Sequence, residues 1–316
     1  MTLPHDLQNL SVHGPKWFQD AIGKPRTEGT VDVAGCPIHY FQWGDPSKRG
    51  VVMAHGFLAH ARCFAFIAPL LADNFHLVSY DLSGMGDSGA RDSYPDDVRA
   101  AEMVEVARAT GMADNNLAPF VVTHSYGSSV GIKACNDHSE LFGGLLVCDF
   151  MMLRPEIMRA YMGGDRARPM PSGNKPNKVY PTLETALGRY RLAPEQSCDN
   201  DYLLHYMAYH SLKEVDGGWS WKFDTSILSS DHREIDWWES QPQQFVHVPG
   251  RKAIIHGADS ILFTPDSADY IQEISDRPVP IISIPNAQHH LMLDQPIAFA
   301  AALRSVLTMW NSDDLF

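Results

Sequence analysis

The sequence predicts an α/β fold: a mostly parallel central sheet flanked by helices, with a mainly helical segment inserted late in the chain. Three observations carry this expectation. Short apolar runs alternate with stretches of helical periodicity. The runs are apolar on both faces, as strands are when helices cover both sides of a sheet. The alternation then breaks between about residues 150 and 250, where Tyr, Trp, Met and His accumulate, and resumes afterwards.

The first elements are two short runs, 30–33 and 38–43, joined around Ala34-Gly35, which read as an antiparallel hairpin. Buried-strand runs follow at 51–54, 76–80, 120–123 and 145–148, and later at 253–256 and 280–284. Helical periodicity occupies 100–110, 128–137 and 297–310. Strands that alternate with helices bury both faces of a parallel sheet, and chemistry then belongs at the strands' carboxyl ends. Within the interruption, residues 202–212 are apolar around most of a helical circumference, as expected of a helix held between two surfaces. Asp216-Gly-Gly218 and the Pro-rich stretch 169–176 read as loops.

Composition excludes several classes. The 316 residues carry 25 Lys+Arg against 38 Asp+Glu, a formal charge of −13, with no basic run. Such an excess repels phosphate backbones and anionic lipids, so neither nucleic acid nor a membrane is expected as a partner. The first residues lack a basic segment followed by an apolar one, and no stretch nears the roughly 18 apolar residues that span a bilayer. Five scattered cysteines without a CxxC pair read as reduced thiols, so a cytoplasmic protein is expected. Fifteen histidines form no HExxH or His-x-His cluster, and no metal is expected.

The most informative stretch runs from Phe120 through His124-Ser125-Tyr126-Gly127. A strand enters a tight turn of small residues and leaves directly as a helix, the setting in which G-x-S-x-G lifts a serine above a sheet. Thr123 stands where the first glycine is usual. The Tyr126 amide would then sit at a helix N-terminus, where it can stabilise an oxyanion. His55-Gly56-Phe57 ends the strand at 51–54, and the Phe57 amide can supply a second oxyanion donor. Asp259 and His289 lie in later loops at strand exits, so the chain order is serine, acid, histidine. In such a triad the histidine takes the serine's proton and the carboxylate orients the imidazole. Gly84-Met-Gly86-Asp-Ser-Gly89 spells a GxGxxG, but it follows a later strand and no acid ends a strand about 20 residues on. It reads as a structural turn, and no cofactor is expected.

With His55-Gly56-Phe57, Asp81…Gly89, His124–Gly127, His256-Gly-Ala-Asp259 and His289 ahead of Asp294-Gln-Pro in place, the sequence resembles an α/β-hydrolase with an inserted cap. The resemblance implies a catalytic core of residues 1–149 and 251–316 and a cap of 150–250. It places the catalytic histidine five residues before the acid that opens a helix, favouring His289 over His290. It also leaves two acids in competition. Asp259 holds the commoner position, while Asp149, just after the strand at 145–148, holds one that some members use. Family members usually have glycine before the catalytic histidine, where this chain has Gln288.

A serine nucleophile argues against the carboxylate-nucleophile branches of the family. The expected reaction is hydrolysis, through an acyl-enzyme, of an ester or lactone of a medium-sized apolar substrate. The alternatives are hydrolysis of a carbon–carbon bond in a diketone-like compound, amidase, thioesterase or acyltransferase chemistry, and a non-catalytic ligand receptor.

Overall fold

The computed structural model describes residues 14–114, 116–163, 175–230 and 235–313. The amino-terminal stretch read for a signal, and most of the Pro-rich 169–176 loop, lie outside the described residues.

The first element among the described residues is a helix, Lys16–Gly23, followed by the hairpin of β1 (Thr27–Val33) and β2 (Cys36–Trp43). Ala34 and Gly35 turn it with φ of 50° and 79°, the left-handed pair that matches the twist of a two-residue hairpin. The remaining strands of the main sheet are β3 (Gly50–Ala54), β4 (His76–Tyr80), β5 (Phe120–His124), β6 (Gly144–Cys148), β9 (Arg251–Gly257) and β10 (Ile281–Ile284). Between them, β7 (Leu212–Val215) and β8 (Gly218–Trp221) form a separate small hairpin.

The eight strands run in the order β1-β2-β4-β3-β5-β6-β9-β10. β1, β2 and β4 pair antiparallel, and every pairing from β4 through to β10 is parallel. All residues of β3, β4, β5 and β6 are buried. That is why their runs are apolar on both faces. Alternate side chains feed two cores. Val51, Met53, Phe120, Val122 and Leu146 pack on one face with Phe299, Leu303 and Leu307 of the helix Pro296–Asp313. Val52, Val78, Val121, Leu145 and Val147 pack on the other with Met103 and Ala107 of the helix Asp96–Ala109. The connection from β3 leads to β4 on one side, while β5 takes the other. Strand order therefore reverses beside β3, and the crevice above its carboxyl end is where such sheets bind ligands.

The interrupted region is mainly helical, as the sequence implies, but contains the β7–β8 hairpin as well. Asp216-Gly-Gly218 is the turn of that hairpin. Helix Asp201–His210 does lie between two surfaces: Leu203, Tyr206 and Met207 join the main core, while Ala208 packs with Tyr180, Leu187 and Leu212 in a satellite cluster. Helix Ile235–His247 is different. Its Phe245, with nearby Val248, packs among Val121, Leu145 and Val147 on the sheet. Part of the span 150–250 thus packs directly on the sheet.

No helix among the described residues is long and apolar enough to cross a membrane. All five cysteines are free thiols.

The hairpin is pinned to β4 by one buried imidazole. His39 Nδ1 lies 2.8 Å from Asp81 Oδ2 and Nε2 lies 2.9 Å from Glu28 Oε1. Burial alone would lower the His39 pKa, but the hydrogen bond and charge of Asp81, helped by Glu28, outweigh it and hold the imidazole above its ordinary range. A raised folded-state pKa contributes stability that is complete below about 6.5, the unfolded value, and is lost as pH rises through the folded value. His39→Gln should therefore cost more unfolding free energy at about pH 6 than at about pH 9. Urea denaturation of both proteins at the two pH values checks this, and an equal cost at both would refute it.

Candidate active site

Ser125 sits at the turn between β5 and the helix Gly127–Asp137 with φ of 51°. That conformation costs a non-glycine residue of order 1–3 kcal/mol and persists only where surrounding bonds impose it. Here the Ser125 amide donates to the Cys148 carbonyl at 3.0 Å, and the Ser128 amide donates to the Ser125 carbonyl at 2.8 Å. Strand and helix also approach closely. A Cβ on Gly127 would stand 2.6 Å from the His55 carbonyl oxygen. The threonine at the usual first glycine position is accommodated by a second exchange of bulk: a Cβ on Gly131, one helical turn on, would meet Thr123 Cγ2 at 2.6 Å. The Thr123 hydroxyl donates to Ser128 Oγ at 3.0 Å and is satisfied without water.

The two oxyanion candidates flank this turn. Phe57 follows the β3 exit and borders the same cavity as Ser125. Tyr126 precedes the first residue of the helix, its ring edge-on to that of Phe57 with centroids 5.4 Å apart.

His289 is buried after β10, and its Nδ1 lies 2.9 Å from Asp149 Oδ1. Asp149 stands immediately after β6 with φ of 48° and no solvent exposure. Its Oδ1 also accepts from Ser260 Oγ at 2.6 Å, and its Oδ2 accepts from the Gly257 amide at 2.9 Å. The expectation for Asp259 therefore needs correction. Asp259 is exposed, its amide donates to the Ala287 carbonyl, and the carboxylate bonded to His289 belongs to Asp149. The carboxyl end of β9 and the loop after it still serve the site, but through the Gly257 amide and the Ser260 hydroxyl. Ser260 was not singled out in the sequence, and its only signal is its place beside an acid at a strand exit.

A second support was also missed. Asp294 Oδ2 accepts from the Gln288 amide at 2.7 Å, which ties down the loop carrying His289. Gln196, from the inserted region, donates to both Asp294 oxygens at 2.9 and 3.0 Å and accepts from the His290 amide at 2.9 Å. His124 lies behind His289, its Nε2 donating to the His289 carbonyl at 2.9 Å. Burial, reinforced by the neighbouring His289 and His290, holds the His124 pKa well below its ordinary value. Burial, with His289 beside it, pulls His290 down to about 3, and burial likewise lowers His55. All three are neutral at neutral pH.

Two groups of side chains among those described bring three possible metal-ligand atoms together: His124, His289 and His290, within 4.8 Å of one another, and His39, Asp81 and Asp87. In the first, His124 Nε2 and His289 Nδ1 are already committed to a carbonyl and to Asp149. In the second, Asp81 accepts from the Ala61 and Asp87 amides. The Gly84–Gly89 turn closes around Asp81: a Cβ on Gly86 would meet its carboxylate, the Asp87 amide donates to Oδ2 and the Ser88 hydroxyl donates to its carbonyl.

Ser125, His289 and Phe57 share one cavity of about 280 Å³, whose apolar wall includes Leu192, Met207, Trp221 and Met292. The profile of the Alpha/beta hydrolase family matches residues 51–302. The chain belongs to the alpha/beta hydrolase family.

Among relatives of this alpha/beta hydrolase, the uncharacterized hydrolase YugF of Bacillus subtilis strain 168 is 26% identical over 132 residues, 37% of this chain and 42% of that protein. The match thus spans under half of that relative. The 1H-3-hydroxy-4-oxoquinoline 2,4-dioxygenase of Pseudomonas putida is 24% identical over 296 residues, 88% of this chain and 98% of that enzyme. Among solved structures, the esterase Rv0045c of Mycobacterium tuberculosis superposes with a TM-score of 0.69 at 18% identity, covering 97% of this chain and 99% of that one. At that identity the likeness speaks for the fold alone.

Two outcomes follow from this geometry. Asp149→Asn should slow fluorophosphonate labelling of Ser125 by roughly 10³–10⁴-fold, whereas Asp259→Asn should change it by less than about threefold. The reverse ranking in a stopped labelling assay would return the acid to Asp259. Gly131→Ala should destabilise the fold by about 1–3 kcal/mol. Adding Thr123→Gly should recover most of that loss, and an additive double-mutant cycle in denaturant would show that the two positions do not share one space.

Proposed function

We propose that this alpha/beta hydrolase is a serine hydrolase acting on a carboxylic ester or lactone of a medium-sized, mainly apolar substrate. The observation that carries the reading is the strained Ser125 at a cavity also bordered by His289, whose far nitrogen is bonded to the buried Asp149. With Nδ1 held by Asp149, His289 presents Nε2 as proton acceptor to the Ser125 hydroxyl. Oγ attacks the substrate carbonyl carbon, and the Phe57 and Tyr126 amides hold the resulting oxyanion. The leaving alkoxide takes the proton from His289, which leaves an acyl group on Ser125. Water then attacks the acyl carbon, giving its proton to His289. Collapse of that second tetrahedral intermediate returns the proton to Ser125 and releases the acid. Residues between β6 and helix Ile235–His247, which supply Tyr190, Met207 and Trp221 to the wall, act as the cap that shapes the substrate.

A second reading has its own observation, the alignment over nearly full length with a protein named as a 2,4-dioxygenase. A His289–Asp149 pair can equally remove a proton from a hydroxyl of a heteroaromatic ring, with dioxygen as co-substrate. Ser125 would not then be acylated.

A panel of p-nitrophenyl esters and lactones separates the two readings. Wild-type protein should turn over at least one ester, and Ser125→Ala should lose that activity by roughly 10³-fold or more. Retention of activity in Ser125→Ala would refute the acyl-enzyme. Oxygen consumption with a hydroxyquinolone and no covalent labelling of Ser125 would favour the second reading.

A further inference from the structure

The loop that carries His289 is held from two sides, and one of them is the inserted region. The peptide unit joining His289 to His290 is bonded at both ends. Its carbonyl accepts from His124 Nε2 at 2.9 Å, and its N–H donates to Gln196 Oε1 at 2.9 Å. Gln196 Nε2 donates to both Asp294 oxygens, at 2.9 and 3.0 Å, and Asp294 Oδ2 takes the Gln288 amide at 2.7 Å. The residues on either side of His289 are thus tied through one glutamine and one carboxylate. An ionised carboxylate can only accept and a backbone N–H can only donate, so the network fixes which end of the Gln196 amide is which.

Neighbouring residues extend the contact. Asn200 Nδ2 donates to the Leu293 carbonyl at 2.7 Å and to the Asp294 carbonyl at 3.1 Å, and Gln288 Nε2 reaches Ser197 Oγ at 3.4 Å. Within this seam Gln196 reaches both the peptide after His289 and the acid that holds the residue before it. Asp149 governs only the far side of the ring, through Nδ1. A hydrogen bond at that one atom lets the imidazole swing about it, so where Nε2 falls depends on where the backbone places the residue.

We propose that Gln196 is a positioning residue for His289, and that the base is aligned only while the inserted region is seated on its loop. The region then completes the active site as well as walling the cavity. The inference rests on His289 as the base, which both readings of the chemistry share, and not on acylation of Ser125. Misplacing a reacting group by about 1 Å can cost roughly 10²-fold in rate, so loss of this tie acts on the chemical step more than on binding.

The test reverses the polarity of the tie. Gln196→Met keeps the side chain's length and removes its hydrogen bonds, while Gln196→Glu sets two carboxylates against each other. In the double variant Gln196→Glu/Asp294→Asn the introduced amide N–H donates to the introduced carboxylate. Its oxygen still takes the Gln288 amide, and the other carboxylate oxygen still takes the His290 amide. With a long-chain alkyl fluorophosphonate, the saturating rate of Ser125 labelling should fall about 10–100-fold in Gln196→Met and Gln196→Glu. The half-saturating concentration should stay within about threefold, and the double variant should recover to within about fivefold of the wild-type rate. A second readout is the ¹H NMR signal of the proton between His289 Nδ1 and Asp149. Its exchange with water should quicken about tenfold or more in Gln196→Met and slow again in the double variant. Wild-type labelling by Gln196→Met, a change confined to the half-saturating concentration, or a double variant no faster than Gln196→Glu would each overturn the proposal. If wild-type Ser125 is not labelled at all, the serine-hydrolase reading falls and the proton exchange alone decides this one.

Discussion

A carboxylate without solvent exposure is tolerable only where donors surround it, and the site is organised around one such group. Asp149 receives the His289 imidazole, the Ser260 hydroxyl and the Gly257 amide. These three come from the loop after β10, the loop after β9 and the last residue of β9, while Asp149 itself immediately follows β6. The Asp149 amide donates to Ile255 in β9, and the Ser125 amide donates to Cys148 next door. Four strand exits are therefore locked to one another within a few bonds. The left-handed φ of Ser125 and Asp149 is the geometric consequence: both backbones turn sharply at the sheet's edge so that their side chains rise above it. Removing the carboxylate would leave a hydroxyl, an amide and an imidazole with no shared acceptor, which disturbs the site's shape as well as its charge.

The fold was legible in the sequence because its strongest signals were local. Buried strands such as β3 to β6 write themselves as apolar runs, and β4 begins and ends at the expected residues. The turn Ala34-Gly35, the elbow around Ser125 and the position of His289 each depend on a few adjacent residues. The choice between two acids did not. Asp149 and Asp259 both end strands, and only the pairing of β6 beside β9 decides which carboxylate faces His289. With those strands adjacent, the amide of Gly257 and the hydroxyl of Ser260 reach the same carboxylate as the imidazole does, and Asp259 is left pointing to solvent. The β7–β8 hairpin was missed for another reason. Lys213-Glu214 and Trp219-Ser220-Trp221 are too short for a period to stand out, and aromatic residues are as common in helices as in edge strands.

Arg99 shows a further limit. In the sequence it is an ordinary charged residue inside a helix that begins with two aspartates. In the fold it has no exposure, and its guanidinium lies over the rings of Tyr94 at 5.0 Å and Tyr126 at 5.4 Å. Cation–π attraction strengthens when the cation is desolvated, so a buried guanidinium between two tyrosines braces the residue that follows Ser125. Nothing within the helix's own periodicity marks that position as special. The tyrosines that meet it come from a loop and from the elbow, far apart in the chain.

The charge balance of the site follows from how its histidines are treated. His55, His60, His124 and His290 are all buried, and burial disfavours their charged forms. His289 alone among these neighbours is bonded to a carboxylate. A proton taken up there forms an ion pair with Asp149, whereas a proton on any of the other four would be a buried cation without that compensation. The neutral rings keep their remaining lone pairs and N–H groups available as dipoles, two of which, at His124 and His60, are fixed by carbonyls. Four of these histidines, His60, His124, His289 and His290, border one cavity, and three of the four are neutral rings that line it without adding fixed positive charge.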